Sequence, residues 1–320
     1  MKRIRKRIKN WLVFRFVTAL IFFFNLLSRK NAIFWGKTLG RWAFFLLRDA
    51  RKTTLKNLNS VFGKTKTQEQ LRKIGLNVFE NIGKNAADVA RFPKLNLSKI
   101  DKMIDVKGLE HFHSAYEKGK GVIVLTGHIG NFELLAACLS LKGYKVSVIG
   151  RDVYDPRLNT LLVKNRESVG LENISSSQDV RKAIKTLRTG TALGIVADQD
   201  STRVKGIFVN FFGRAAKTPV GPALFHLRLG SPIIPIIILR NGTEKYKMLV
   251  KPALEFRPRG DKKKDIEELT QRYTEILEQA IRDHPSEWVW MHKRWKSRPD
   301  VSGEKNPSSK KSPHAGSVSY

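Results

Sequence analysis

An apolar run that leads into a glycine-bracketed histidine, GVIVLTGHIGNFE at residues 121–133, sets the architecture of this chain. The apolar residues before Gly127 predict a buried strand, and Asn131 predicts the start of a helix that ends near Leu141. Further strands are predicted at 144–149, 191–197, 233–239 and 246–250, and further helices at 157–168, 177–190 (capped by Ser177) and 265–282. This alternation predicts an α/β fold with a mixed, mostly parallel sheet flanked by helices.

Composition limits the classes of partner. The 320 residues include 60 lysines and arginines against 28 acids, which gives a net charge of +32. Such a charge favours a polyanionic partner, namely nucleic acid, an anionic membrane or an acidic carrier protein. The single cysteine, Cys138, excludes an intramolecular disulfide framework and a cysteine-rich zinc module.

The amino-terminal segment is both basic and apolar. The first 56 residues hold 15 lysines and arginines and one acid, Asp49, and residues 11–27 form the apolar run WLVFRFVTALIFFFNLL. We expect a retained membrane-anchoring helix, although a buried helix of a soluble domain is the alternative. Cations on both flanks favour a helix that lies in the cytoplasmic leaflet over one that spans the bilayer. Nucleic acid is not predicted, because these cations do not interleave with stacking aromatic residues.

The chain divides into three predicted parts. Residues 1–30 form the anchor, and residues 31–299 form the α/β domain, which is helical to about residue 100 and includes a helix over 65–91. Residues 300–320 are rich in Ser, Lys and Pro and predict a disordered tail.

His128 is the first candidate for chemistry, since ligands of open α/β sheets bind beyond the carboxyl ends of the strands. Glu133 follows five residues later and can reach His128 if the histidine lies in the loop and Glu133 lies in the first helical turn. A carboxylate in that position fixes the tautomer of a histidine that removes a proton from an alcohol. A structural histidine is the alternative.

Asp198 and Asp200 follow the strand predicted at 191–197 and form an Asp-x-Asp pattern, which in a glycosyltransferase holds a divalent metal ion. A turn with solvated carboxylates is the alternative. Arg151 and Arg166 are candidates for binding an anionic headgroup or neutralising these acids. The tryptophans of residues 288–296 fit either a membrane interface or packing against the sheet.

Five motifs in order carry a resemblance to a known family: the box at 128–133, Arg151, the turn at 198–200, residues 206–213 (GIFVNFFG) and residues 290–299 (WMHKRWKSRP). The chain resembles the late acyltransferases of lipid A biosynthesis, the lauroyl/myristoyl transferase branch of the lysophospholipid acyltransferase superfamily.

The resemblance implies a bacterial enzyme on the cytoplasmic face of the inner membrane. Such an enzyme moves an acyl chain from acyl carrier protein to a hydroxyl of a lipid A-type glycolipid, with a His-x4-Asp/Glu dyad and with neither metal nor cofactor. By position, His128 is the base and Glu133 its partner, and Asn131 belongs to the same box. The resemblance gives supporting or substrate-contacting roles to the following residues: Arg151, Arg166, Asp198 and Asp200.

Two other classes of function stay open at this point. One is a metal-dependent glycosyltransferase built on Asp198 and Asp200, and the other is a non-catalytic protein that binds anionic lipid. Within the acyltransferase class, the sequence does not specify the length of the acyl chain or whether the donor is acyl carrier protein or coenzyme A. It also leaves open whether the acceptor is another phospholipid or glycolipid.

Overall fold

The structure is a computed structural model that describes residues 2–150, 152–175, 180–201 and 204–299, without the side chains of residues 2–6. Its α-helices are α1 Lys2–Leu26, α2 Arg29–Leu46, α3 Arg48–Phe62, α4 Gln68–Ala90, α5 Leu97–Met103, α6 Leu109–Tyr116, α7 Phe132–Leu141, α8 Pro156–Glu167, α9 Val180–Arg188, α10 Gly221–Leu229 and α11 Lys262–Asp283. Its strands are β1 Ile104–Lys107, β2 Val122–Thr126, β3 Val146–Gly150, β4 Glu172–Ser175, β5 Ala192–Val196, β6 Gly206–Phe211, β7 Arg214–Pro219, β8 Ile233–Asn241 and β9 Lys245–Val250.

Seven strands form one sheet in the order β1-β9-β8-β2-β5-β3-β4. Every neighbouring pair is parallel except β8 with β9. The predicted fold class is therefore confirmed. Strand β2 lies at the centre and all of its residues are buried, as expected for a parallel strand covered on both faces.

Helices cover both faces of the sheet, and successive residues of β2 pack against different layers. Val122 and Val124 belong to the core that includes α7, whereas Ile123 and Leu125 belong to the core formed with α9, α10 and α11. This alternation follows from the two-residue period of a strand. It places the turn after β2 at the junction of the two layers.

The helical part before the sheet is held together by close backbone contacts between α2 and α4. A Cβ atom added at Gly40 would lie 2.2 Å from the carbonyl oxygen of Phe79, and one added at Gly83 would lie 2.0 Å from that of Gly36. Any side chain there would force the two helices apart. The helix predicted over 65–91 is confirmed as α4, which begins after the cap Thr67.

The apolar surface at the amino terminus is larger than the sequence predicted. Helix α1 contains a 20-residue stretch, Arg7–Leu26, that could cross a membrane by its length and apolar composition. Helix α2 also exposes large apolar side chains, so this surface continues past residue 30. The exposed residues of α2 are Phe34, Trp35, Leu39, Trp42, Phe45 and Leu46.

The carboxyl-terminal half contains a hairpin that the sequence analysis did not predict. Strands β6 and β7 form an antiparallel hairpin whose two turn residues, Phe212 and Gly213, have φ values of 56° and 72°, as a tight primed hairpin turn requires.

Trp288 and Trp290 are buried to 1% and 0% exposure. For these two tryptophans the membrane-interface alternative is wrong, and packing against the fold is confirmed.

Candidate active site

The register of two central strands brings His128 and Asp198 together. Strands β2 and β5 are parallel neighbours, and Thr126 at the end of β2 pairs with Val196 at the end of β5. His128 and Asp198 each follow two residues later, so both lie just beyond the carboxyl edge of the sheet. This is the edge at which ligands of open α/β sheets bind.

The imidazole of His128 is hydrogen-bonded to Asp198. Its Nδ1 lies 2.8 Å from Oδ1 of Asp198, and the backbone N–H of His128 donates to Oδ2 at 3.0 Å. The indole N–H of Trp288 donates to the same Oδ2 at 2.6 Å. Three N–H donors therefore surround one buried carboxylate.

Those donors keep Asp198 ionised. Burial alone would raise the pKa of this carboxyl, but the charge of His128 and the hydrogen bonds from His128 and Trp288 outweigh burial and lower the pKa to about 2. An ionised carboxylate at Nδ1 accepts the Nδ1 proton and leaves Nε2 as the free, basic nitrogen. The His128 side chain is 27% exposed, so this arrangement suits a general base that meets a substrate from solvent or lipid.

Glu133 does not make the contact with His128 that the His-x4-Glu spacing predicted. Its carboxylate instead binds the guanidinium of Arg166 through both oxygens, with an Nε–Oε2 distance of 3.0 Å. Arg166 also donates to the side chain of Asn173. The predicted pairing is corrected to His128 with Asp198, because Glu133 in the first turn of α7 faces α8. A catalytic contribution from Glu133 stays a prediction.

A carboxyl-terminal segment, residues 287–297, supports the turn that carries the histidine. We call residues 127–131 the catalytic turn. The N–H of Gly130 donates to the carbonyl of Glu287 at 2.8 Å, and the N–H of Val289 donates to the carbonyl of His128 at 3.2 Å. Sequence reasoning placed Trp288 only in a tryptophan-rich run, and its proximity to Asp198 depends on this long-range pairing.

Asp200 binds the same carboxyl-terminal segment, residues 287–297. Its carboxylate accepts hydrogen bonds from the backbone N–H of Ser297 at 2.7 Å and from the Ser297 hydroxyl at 3.0 Å. Both carboxylates of the Asp-x-Asp pattern therefore already bind protein donors, which argues against the metal hypothesis. Within the ranges that the structure describes, there is also no group of three or more His, Cys, Asp or Glu side chains that could hold a metal ion.

The remaining candidates have separate positions. Asn131 caps α7 by accepting from the N–H of Leu134 at 3.2 Å, and its amide donates to the hydroxyl of Tyr246 at 3.1 Å. The predicted cap is confirmed. Arg151, Ser177 and the tail from residue 300 lie outside the described residues.

The fold and the site define an α/β enzyme whose carboxylate-oriented histidine is suited to deprotonate an alcohol. The family model described as bacterial lipid A biosynthesis acyltransferase matches residues 2–297. The chain therefore belongs to the lipid A biosynthesis acyltransferase family, and it is an acyltransferase.

Individual relatives are distant. The lipid A biosynthesis lauroyltransferase of Escherichia coli K12 is 24% identical over 269 residues, which cover 83% of this chain and 85% of the relative. A lipid A biosynthesis acyltransferase of Haemophilus influenzae is 29% identical over 245 residues, with coverages of 75% and 72%. The phosphatidylinositol mannoside acyltransferase of Mycobacterium tuberculosis H37Rv is 26% identical over 222 residues, or 68% of each chain.

Proposed function

We propose that this enzyme transfers a fatty acyl chain from acyl carrier protein to a hydroxyl of a lipid A-type glycolipid precursor. We further propose that it works on the cytoplasmic face of the bacterial inner membrane. The hydrogen bond between His128 and Asp198 at the carboxyl edge of the sheet is the observation that carries the proposal. It provides a base whose free Nε2 can accept a proton from an alcohol.

In the proposed reaction, Nε2 of His128 removes the proton of the acceptor hydroxyl while the oxygen attacks the thioester carbonyl. The tetrahedral intermediate then collapses, the carbon–sulfur bond breaks, and the thiolate takes the proton back from the imidazolium. Asp198 stabilises the imidazolium between these steps. The backbone N–H groups of His128 and Gly130 donate to Asp198 and Glu287, so the oxyanion requires other donors.

The membrane location is supported by the exposed apolar faces of α1 and α2 together with their flanking cations. A contact of α1 favours the in-plane orientation: the guanidinium of Arg157 lies 4.8 Å from the ring centre of Phe14 and also pairs with Asp155. Phe14 is about 18 Å along the helix from Leu26. A spanning α1 would carry this ion pair deep into hydrocarbon, where charge is costly.

The proposed acyl donor is supported by the charge of the protein, and the proposed acyl acceptor is supported by its family. A net charge of +32 would steer an acidic carrier protein toward the enzyme. The relatives named above act, by name, in lipid A biosynthesis or on phosphatidylinositol mannoside. Acylation of another glycolipid is therefore the second candidate. The glycosyltransferase hypothesis is disfavoured, since Asp198 and Asp200 are engaged by protein donors.

The test has two parts. Mass spectrometry of total lipids from cells with and without the gene should show one glycolipid class that gains the mass of a single acyl chain in the presence of the enzyme. When that glycolipid is supplied, the purified enzyme should then release free thiol from acylated acyl carrier protein faster than from acyl-coenzyme A. No change in any acylated glycolipid, together with no thioester turnover by the purified protein, would rule the proposal out.

A further inference from the structure

A buried polar network lies directly behind the catalytic turn. At its centre is Asp88 of α4, whose side chain is 2% exposed. Asp88 accepts from Nε of Arg29 at 2.8 Å, from Nη2 of Arg240 at 3.1 Å and from the hydroxyl of Tyr246 at 2.7 Å. The charge of this carboxylate is thus matched by two guanidinium groups, and the tyrosine hydroxyl supplies a further donor.

The network reaches the catalytic turn at two points. Tyr246 is fully buried, and its hydroxyl accepts from the amide of Asn131 at 3.1 Å. Asn85, one turn before Asp88 on α4, donates to the carbonyl of Gly130 at 2.9 Å and accepts from Nη2 of Arg240 at 2.7 Å. Two successive residues of the turn are therefore bonded to the same buried cluster.

We propose that Tyr246 and Asp88 are positioning residues for the transfer reaction: they fix the amide of Asn131 and, through it, the turn that places His128. This inference rests on the proposed function. Neither residue makes a hydrogen bond to His128, so both act through Asn131.

Hydrogen-bond direction makes this arrangement specific. Burial, followed by the charge of Asp88, raises the pKa of Tyr246 well above its ordinary value, so its hydroxyl keeps its proton. With that proton directed to Asp88, the oxygen lone pairs accept from the amide of Asn131 and from Nη2 of Arg240. The amide of Asn131 then points to Tyr246 while its carbonyl oxygen caps α7 at Leu134. Because both ends of the Asn131 side chain are bonded, the turn has little freedom to rotate.

The same network extends to the base of the anchor. Arg29 is the first residue of α2, directly after Ser28, which caps that helix. In addition to Asp88, Arg29 contacts the carbonyl of Glu244 in the turn between β8 and β9. The contact of Arg29 with Asp88 therefore crosses the predicted boundary at residue 30 and links the predicted anchor to the network behind the catalytic turn.

The experiment compares Tyr246→Phe with the matched control Tyr273→Phe in the purified full chain, using the thioester assay. Tyr273 is also fully buried, and its hydroxyl donates to the carbonyl of Pro219, away from the catalytic turn. We expect Tyr246→Phe to lower kcat by about 10- to 100-fold, the scale of a small misplacement of a catalytic group, with KM values unchanged. Tyr273→Phe should lower the melting temperature and leave kcat unchanged.

A second variant, Asn131→Ser, breaks the same hydrogen bond from the other side while keeping a good helix cap. Because both variants remove the hydrogen bond between Asn131 and Tyr246, the double variant should be no slower than the slower single variant. Additive losses, or a kcat for Tyr246→Phe equal to that of Tyr273→Phe, would overturn the proposal. If Tyr246→Phe does not fold, a normal kcat for Asn131→Ser would overturn it alone.

His128→Ala in the same assay separates this inference from the proposed function. An inactive His128→Ala beside a fully active Tyr246→Phe refutes only the positioning role. A fully active His128→Ala refutes the proposed mechanism, and with it the inference.

Discussion

Replacing Asp198 by asparagine isolates the charge of the carboxylate that orients His128. Two of the three donors, the backbone N–H of His128 and the indole N–H of Trp288, bind Oδ2. The amide oxygen of the asparagine can occupy that position and keep both bonds. The opposite orientation would set the amide group against two N–H donors, so the orientation is determined by the site. The variant should therefore fold.

The third contact is reversed by this change. Oδ1 of Asp198, which lies 2.8 Å from Nδ1 of His128, is replaced by an N–H donor. The imidazole then accepts at Nδ1 and carries its proton on Nε2, which leaves no base directed at the acceptor hydroxyl. The comparable change in a serine-protease triad lowers kcat by about 10⁴-fold, which corresponds to about 5.4 kcal/mol of transition-state stabilisation. We expect a loss of this order here.

The assay measures kcat and kcat/KM of purified variants by thioester release, together with thermal unfolding. Asp200→Asn is the matched control, because Asp200 binds Ser297 and makes no hydrogen bond to His128. We expect Asp200→Asn to retain kcat within about tenfold, a loss well below that of a general base. A folded Asp198→Asn enzyme with kcat within about tenfold of the wild type would refute the reasoning, and a larger loss in Glu133→Gln would return the partner role to Glu133.

Three further outcomes are expected. Glu133→Gln should destabilise the protein by about 3 kcal/mol in thermal unfolding, since Arg166, whose side chain is 9% exposed, would lose its charged partner; an unchanged melting temperature would contradict this. A cysteine at position 4 should not react with an impermeant thiol reagent in intact cells if α1 lies in the cytoplasmic leaflet, and buried Cys138 should not interfere. Because the pKa of Asp198 is about 2 against an ordinary 3.8, its ionisation contributes about 2 kcal/mol of stability above pH 4 that is lost as the pH falls toward 2; acid unfolding of Asp198→Asn should lack this component.

Much of the fold could be predicted because its elements are locally encoded. Apolar runs predicted the central strands, and the helix cap at Asn131 predicted the start of α7. The hairpin of β6 and β7 was missed because its turn requires a positive φ at Phe212, which is an unusual residue for that conformation. The exposed face of α2 was missed because its apolar residues surround the buried contact glycines, and sequence alone does not show which side packs against α4.

The partner of His128 could not be predicted by the same route, because spacing along the chain and adjacency across a sheet are independent. The five-residue separation made Glu133 the nearer carboxylate in sequence, yet a helical first turn directs it to Arg166. Asp198 is 70 residues from His128, and the strand order, which local patterns do not specify, places β5 beside β2. Once that order is known, the pairing of Thr126 with Val196 requires the residues two positions beyond each to meet. In a parallel sheet of this kind, the carboxylate that bonds a histidine in the turn after a strand is better sought after the neighbouring strand than in the helix that follows the turn.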